Sequence, residues 1–121
     1  MPDATRKLLV IITHQGNNDR ASIGFTLANA ALSTGVEVGV FLASDGVDLV
    51  REHSWEMTQV KPFKPLAELI DGFIEKGGKV WSCGTCIQHR HLDGEKMRGV
   101  IVSGIATVVD WINAGAQTVC L

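Results

Sequence analysis

Several side chains suited to chemistry stand within one short segment, KVWSCGTCIQHRH, which runs from Lys79 to His91. Cys83 and Cys86 have the C-x-x-C spacing, and two histidines follow, one on either side of an arginine. Three kinds of site use these residue types: a redox dithiol, a metal site and a single nucleophilic thiol. Which of them applies depends on where the segment lies in the fold.

A redox dithiol is the first alternative. The two sulfurs of a C-x-x-C segment approach each other at the start of a helix, whose dipole stabilises the attacking thiolate. A helix that begins near Thr85 would provide this setting for Cys83 and Cys86. However, the chain has neither the length and strand order of a thioredoxin nor the cis-proline that usually follows such a dithiol. The dithiol therefore stays an alternative rather than the leading interpretation.

Zinc is the second alternative, because Cys83, Cys86, His89 and His91 offer four ligands within nine residues. Structural zinc normally draws on two separated ligand pairs, which close the tetrahedron without strain. A single short segment would strain that geometry, so we expect no metal here. Neither a dinucleotide fingerprint nor a P-loop follows a predicted strand, and we expect no cofactor.

A nucleophilic thiol at Cys83 is the third alternative. A free thiol with a pKa of about 8.5 is ionised to only a few per cent at neutral pH. A helix N-terminus, Arg90 or a protonated His89 near the sulfur would lower the pKa of Cys83 and favour the thiolate. Such thiolates take up sulfane sulfur and pass it on by thiol exchange, with Cys86 as a resolving partner. Two small apolar residues at a strand end are the structural alternative.

The elements that would position this segment are short strands alternating with helices. Five apolar or β-branched runs predict strands: Leu8–Thr13, Val36–Leu42, Lys79–Cys83, Val100–Ser103 and Gln117–Leu121. Helical spacing predicts three helices, which begin near Asn18 or Asp19, near Pro65 and near Ile105, and which end at Gly35, Gly77 and Gly115. This alternation predicts one α/β domain, residues 1–121, with a parallel sheet between helix layers.

Particular faces are predicted for two of these helices. The first should present Ile23, Leu27, Ala30 and Ala31 on one side, and the last Ile105, Val108, Val109 and Ile112. A further short helix is expected near Asp48–Glu56, in the less regular segment between the second strand and the second helix.

Ligand sites in a parallel sheet form beyond the carboxyl ends of the strands. The polar and reactive residues follow the predicted strands at this rim: Thr13-His14, Ser44-Asp45-Gly46, Cys83-Gly84-Thr85-Cys86 and Ser103-Gly104. His14 is a candidate to orient a substrate or act as a base near Cys83, or else a loop histidine held by hydrogen bonds. Candidates for substrate binding, against the plainer reading as turn or solvated residues, are Asp45, Gly84, Thr85, His89 and Arg90.

Composition limits the classes of function. The chain has 121 residues, of which 45% are hydrophobic and 20% charged, and its formal net charge is −2. Basic residues are scattered, which argues against nucleic-acid binding. The run Leu8–Ile12 is too short for a signal sequence or a membrane span, and three cysteines do not fit a secreted disulfide framework. We therefore expect a cytoplasmic protein without membrane association.

Three stretches of the chain resemble the DsrE/DsrF-like family of sulfur-relay proteins, also called predicted peroxiredoxins. They are LLVIITHQGNNDRASIGFTLANAALSTGVEVGVFLASDGVDLV, KVWSCGTC and GVIVSGIATVVDWINAGAQTVCL. The resemblance implies a three-layer α/β/α domain with a five-stranded, mainly parallel sheet, assembled as a homotrimer or homohexamer. It also implies that a cysteine at the end of the third strand accepts sulfur as a persulfide, and Cys83 stands at that position.

These observations predict a cytoplasmic sulfur carrier, or a sulfurtransferase-like protein, with Cys83 as the sulfur acceptor and Cys86 and His14 beside it. Sulfur donor and acceptor proteins would be its partners. Two alternatives stay open: a dithiol redox protein that cycles Cys83 and Cys86, and a non-catalytic oligomeric binding module. Whether the protein is an enzyme stays open with them.

Overall fold

Five parallel strands form one sheet in the structure, a computed structural model that describes residues 6–14, 19–50, 61–92 and 99–121. The strands are β1 (Lys7–Ile12), β2 (Glu37–Leu42), β3 (Lys79–Cys83), β4 (Val100–Ser103) and β5 (Gln117–Cys120). Their order across the sheet is β4-β3-β2-β1-β5, and all neighbouring pairs are parallel. The five predicted strands are confirmed, each to within a residue at either end.

Within the same residues the chain forms four α-helices and one 3₁₀ helix. Helices α1 (Asp19–Ser33), α2 (Leu66–Glu75) and α4 (Ala106–Asn113) are the three predicted from apolar spacing, and α3 (Gly84–His89) follows β3 directly. Gly35, Gly77 and Gly115 have φ angles of 90°, 96° and 95°, a left-handed conformation that ends each predicted helix. The 3₁₀ helix is Ser44–Val50. The predicted helix near Asp48–Glu56 lies mostly outside the described residues.

Helices cover both faces of the sheet, which confirms the predicted α/β/α layers. On one face the strands pack with α1 and α2, whose Phe25 and Phe73 rings meet edge-on with 6.0 Å between centroids. On the other face they pack with α4, where the rings of Trp81 and Trp111 meet edge-on at 5.1 Å. Because rings of this size dominate core energetics, β3 is fixed from both sides. The thiol segment therefore begins at the end of a rigid strand.

The buried face of α1 differs from the prediction. Ile23 and Leu27, which belong to the predicted face, are each 38% exposed. The buried residues of this helix include Ala21, Phe25 and Ala28 instead. Phe25 is the largest side chain of the helix and decides its rotation, because it packs against α2. The helix is confirmed, but of its predicted face only Ala31 packs against the core.

Helix α4 is apolar on two sides. Of the predicted stripe only Val108 is buried, together with Trp111, whereas three residues of α4 and its first turn are 49–63% exposed. Two residues of the preceding strand β4 are 61% and 62% exposed. We call these five exposed side chains the β4–α4 surface: Ile101, Val102, Ile105, Val109 and Ile112. Ile101 lies beside Trp81 on the α4 face of the sheet and Val102 beside Ser82 on the opposite face, so the surface runs around the edge strand β4. Contiguous exposed apolar groups are a general feature of surfaces through which proteins bind one another.

Candidate functional site

The two thiols of the C-x-x-C segment lie where β3 passes into α3. Cys83 ends β3 and is the N-cap of α3, with φ −66° and ψ 116°. Its Sγ accepts a hydrogen bond from the backbone N–H of Cys86 at 3.4 Å. Both cysteines are free thiols and half-buried.

A strained backbone residue contacts the second thiol. Ser44, the first residue of the 3₁₀ helix, has a φ of 52°, a conformation that a Cβ makes unfavourable. Its amide donates a hydrogen bond to Sγ of Cys86 at 3.3 Å. Strain of this kind collects at functional sites and persists only where the surroundings enforce it. The sequence predicts Ser44 at the rim, but no sequence pattern predicts its hydrogen bond to Cys86, which is 42 positions away.

Gly46 fixes this segment from the side of β1. Its N–H donates to the carbonyl oxygen of Ala43 at 2.9 Å, and the N–H of Ala43 donates to the carbonyl oxygen of Ile12 at 3.0 Å. A Cβ at position 46 would lie 2.2 Å from that same oxygen of Ile12. Glycine is therefore required here by close approach, and the start of the 3₁₀ helix is tied to the end of β1.

The surroundings of Cys83 disfavour its thiolate. Burial raises the pKa of the Cys83 thiol, and the hydrogen bond with the Cys86 side chain raises it further. The backbone amides of Cys86 and Thr85 lower it but do not outweigh burial. The predicted net lowering is therefore wrong, because burial and the second thiol outweigh the amides at the start of α3.

Asp45 and Arg90, both candidates for substrate binding, are paired with each other. Nη2 of Arg90 lies 2.8 Å from Oδ1 of Asp45. Arg90 is the C-cap residue of α3, and its N–H donates to the carbonyl oxygen of Cys86 at 3.1 Å. Asp45 belongs to the first turn of the 3₁₀ helix. The ion pair thus joins the segment after β2 to the helix that carries the second thiol.

The remaining candidates for substrate binding lie on α3. Gly84 and Thr85 are its first two residues, and His89 is its last. A Cβ added at Gly84 would lie 3.4 Å from the side chain of Val102, so one end of the β4–α4 surface borders the thiol segment. Thr85 and His89 are exposed at this rim.

His14 is directed away from the thiols. Its Nδ1 lies 3.1 Å from the carbonyl oxygen of Leu121, which also accepts hydrogen bonds from the amide and the hydroxyl of Thr13 at 3.0 and 3.2 Å. Leu121 follows β5, which lies on the opposite side of β1 from β2 and β3. Strand spacing places the ends of β1 and β3 about 10 Å apart. The structure therefore does not bring His14 to Cys83.

Two observations on the described residues concern metals and membranes. Across residues 6–14, 19–50, 61–92 and 99–121, no three His, Cys, Asp or Glu side chains come together as a metal site requires. None of the helices in these ranges combines the length and apolar character of a membrane-spanning helix.

Two solved structures share this fold. The YchN protein of Escherichia coli superposes with a TM-score of 0.78 at 15% sequence identity, over 98% of this chain and 100% of that one. A conserved protein of unknown function from Bacteroides thetaiotaomicron superposes with a TM-score of 0.71, also at 15% identity, over 95% and 94% of the two chains. At such low identity the likeness shows the fold alone.

Sequence relatives come from two archaea. An uncharacterised protein of Methanopyrus kandleri is 30% identical over 113 residues, which are 92% of this chain and 90% of that protein. An uncharacterised protein of Methanocaldococcus jannaschii is 23% identical over 106 residues, or 87% of this chain, but the match spans only 38% of that longer relative. Because residues 6–121 match the DsrE/DsrF-like family, the chain belongs to that family.

Proposed function

We propose that this protein is a cytoplasmic sulfur carrier in which Cys83 accepts sulfane sulfur as a persulfide. The observation that carries the proposal is the position of Cys83 Sγ, which ends β3 at the rim, half-buried, and accepts the amide N–H of Cys86 at 3.4 Å. An amide donor stabilises negative charge on sulfur, both on the attacking thiolate and on the persulfide. Membership of a family linked to sulfur relay supports the same reaction.

The transfer is a thiol exchange in which atoms and electrons balance. The thiolate of Cys83 attacks the outer sulfur of a donor persulfide, so that a new S–S bond forms on Cys83 while the donor S–S bond breaks. The donor leaves as a thiolate. A second exchange moves the outer sulfur to an acceptor thiolate and restores Cys83. Because burial raises the pKa of Cys83, the free protein holds mostly the thiol, and the exchange becomes faster as the pH rises.

We propose that the donor and acceptor are proteins that dock beside α3. Thr85 and His89 are exposed there, next to the ion pair of Asp45 and Arg90. Polar and charged groups at the rim of a contact favour correct encounter and orientation more than raw affinity, which suits a transient partner.

We propose further that several copies of the chain assemble through the β4–α4 surface, as a homotrimer or homohexamer. Apolar side chains that are 49–63% exposed gain from being covered, and symmetric assembly is the usual way to cover them. Native mass spectrometry tests this. Serine at Val109 and Ile112 should release monomers without unfolding the chain, because both side chains already face solvent. A wild-type protein that stays monomeric would contradict the assembly.

Intact mass spectrometry after exposure to a persulfide donor tests sulfur carriage. The series is made in a Cys120→Ser background, because Cys120 is exposed and would add its own signal. This protein should gain one sulfur atom, a Cys86→Ser variant should still gain it, and a Cys83→Ser variant should not. Sulfur on Cys86 alone, or on neither thiol, would contradict the proposal.

A dithiol redox protein is the second candidate, which the C-x-x-C spacing and the close approach of Cys86 to the Cys83 sulfur, at 3.4 Å from its amide, favour. In that reaction the two thiols lose two protons and two electrons to a disulfide substrate, which leaves as two thiols. The same spectra separate the two candidates, because an internal disulfide removes two hydrogen atoms and adds no sulfur. Formation of that disulfide alone would favour the redox role and overturn sulfur carriage.

A further inference from the structure

We propose that the ion pair of Asp45 and Arg90 is a latch that keeps the Ser44 amide on the sulfur of Cys86, and that it thereby sets how fast this thiol reacts. Two contacts join the 3₁₀ helix to α3, namely the Ser44 N–H bond to Cys86 Sγ at 3.3 Å and the ion pair at 2.8 Å. Within α3, the Arg90 N–H donates to the Cys86 carbonyl oxygen at 3.1 Å, so the residue that carries the guanidinium is bonded to the residue that carries the sulfur. Asp45 and Arg90 act through Ser44 and are positioning residues.

Ser44 needs such a latch because its backbone is strained. A φ of 52° is unfavourable for a residue with a Cβ and relaxes to negative φ unless its neighbours prevent it. On the β1 side, Gly46 lies so close to the carbonyl oxygen of Ile12 that a Cβ would not fit between them, and this contact holds the turn. From the α3 side it is held by the Asp45 carboxylate on the Arg90 guanidinium. Relaxation of Ser44 would turn its N–H away from the sulfur.

The contact matters for the chemistry of the second thiol. An amide N–H that donates to sulfur stabilises a thiolate more than a neutral thiol, and the thiolate is the attacking form. The titratable groups on the elements packed around this sulfur are Cys83 on β3, Asp45 and Asp48 on the 3₁₀ helix, and His89 and Arg90 on α3. When the ion pair is broken, Cys86 is therefore a slower nucleophile than in the wild type, in either of the two proposed reactions.

Site-resolved alkylation kinetics test the latch on the full chain, without a sulfur donor, so the result does not depend on the proposed sulfur carriage. Arg90→Gln and Asp45→Asn each remove one charge of the pair. In either variant Cys86 should be alkylated about threefold more slowly at neutral pH, the size of effect that a partly exposed ion pair supports. Arg90→Lys keeps the charge and should recover part of the rate.

A double variant and a high-salt measurement make the alkylation test more specific. The double variant should be no slower than either single variant, because both remove the same contact. A salt concentration of about 1 M should narrow the gap between the wild type and the variants, since exposed charges are screened.

Controls keep the outcome clear. Asp110→Asn removes an exposed carboxylate on α4 and should leave the Cys86 rate unchanged, and Cys120 in each sample is an internal standard. Thermal melts of the same samples verify folding. Unchanged alkylation rates of Cys86 in both single variants would overturn the latch. So would a double variant whose slowing equals the product of the two single effects, because independent residues multiply.

Discussion

Replacing Gly46 by alanine should destabilise the protein and disturb the thiol site together. The added Cβ would lie 2.2 Å from the carbonyl oxygen of Ile12 and 2.9 Å from its carbonyl carbon, below the 3.0 Å that real contacts respect. Both atoms belong to the backbone of β1, so no side chain can move aside. The start of the 3₁₀ helix has to move instead, and Ser44 and its bond to Cys86 move with it.

The size of the effect follows from two contributions. Overpacking a close contact costs about 1–3 kcal/mol. Displacing the segment also weakens the hydrogen bond from the Ala43 N–H to the Ile12 carbonyl, which contributes about 1 kcal/mol. The free energy of unfolding should therefore fall by about 2–4 kcal/mol, a large share of the roughly 5–15 kcal/mol of a typical domain. Alkylation of Cys86 at neutral pH should slow as well.

Urea unfolding followed by circular dichroism measures the first effect, and site-resolved alkylation measures the second. Gly72→Ala is the matched control, because Gly72 lies within α2 and nothing comes within 4 Å of its added Cβ. That variant should gain about 0.5–1 kcal/mol from helix propensity. The reasoning is refuted if Gly46→Ala unfolds within about 0.5 kcal/mol of the wild type, or if Gly72→Ala loses as much.

Three further predictions concern ionisation and packing. Cys86→Ala removes a side-chain hydrogen bond that raises the pKa of Cys83, so Cys83 should be alkylated faster at neutral pH, as site-resolved kinetics would show. Phe73→Ala, at a fully buried ring, should lower the free energy of unfolding by about 3–5 kcal/mol in urea titrations. A hydrogen bond from Lys7 lowers the pKa of Glu37, so its stabilisation is complete above the unfolded-state pKa and is lost as the pH falls through the folded-state value. Glu37→Gln should remove that acid-range dependence from melts recorded against pH.

The strands and helices could be predicted because their signals are local. Continuous apolar runs mark buried parallel strands, and a glycine with positive φ ends each predicted helix. The rotation of α1 could not be predicted, because it depends on the contact of Phe25 with Phe73 in another helix. On α4 the apolar residues cover two sides, so spacing alone could not say which side faces the sheet.

The position of the thiols could be predicted, but their environment could not. The run KVWSC predicts a strand, and Cys83 is the last residue of that run. The contacts that decide its chemistry join distant residues: Ser44 to Cys86 over 42 positions, and Asp45 to Arg90 over 45. The direction of the Cys83 pKa depends on burial, which exists only in the folded chain. Local pattern therefore locates a nucleophile more readily than it predicts its ionisation.

The hydrogen bonds from His14 and Thr13 to the carbonyl oxygen of Leu121 have a consequence for the order of folding. Thr13 and Leu121 are 108 residues apart in the chain, and the pairing of β1 with β5 spans a similar distance. Closing so long a loop loses entropy before any contact is gained, so such pairing forms slowly. We expect β5 to join the sheet after the transition state. Substitutions in β5 should then speed unfolding while leaving the folding rate nearly unchanged, and the bonds from His14 and Thr13 would act as a kinetic lock on the finished molecule.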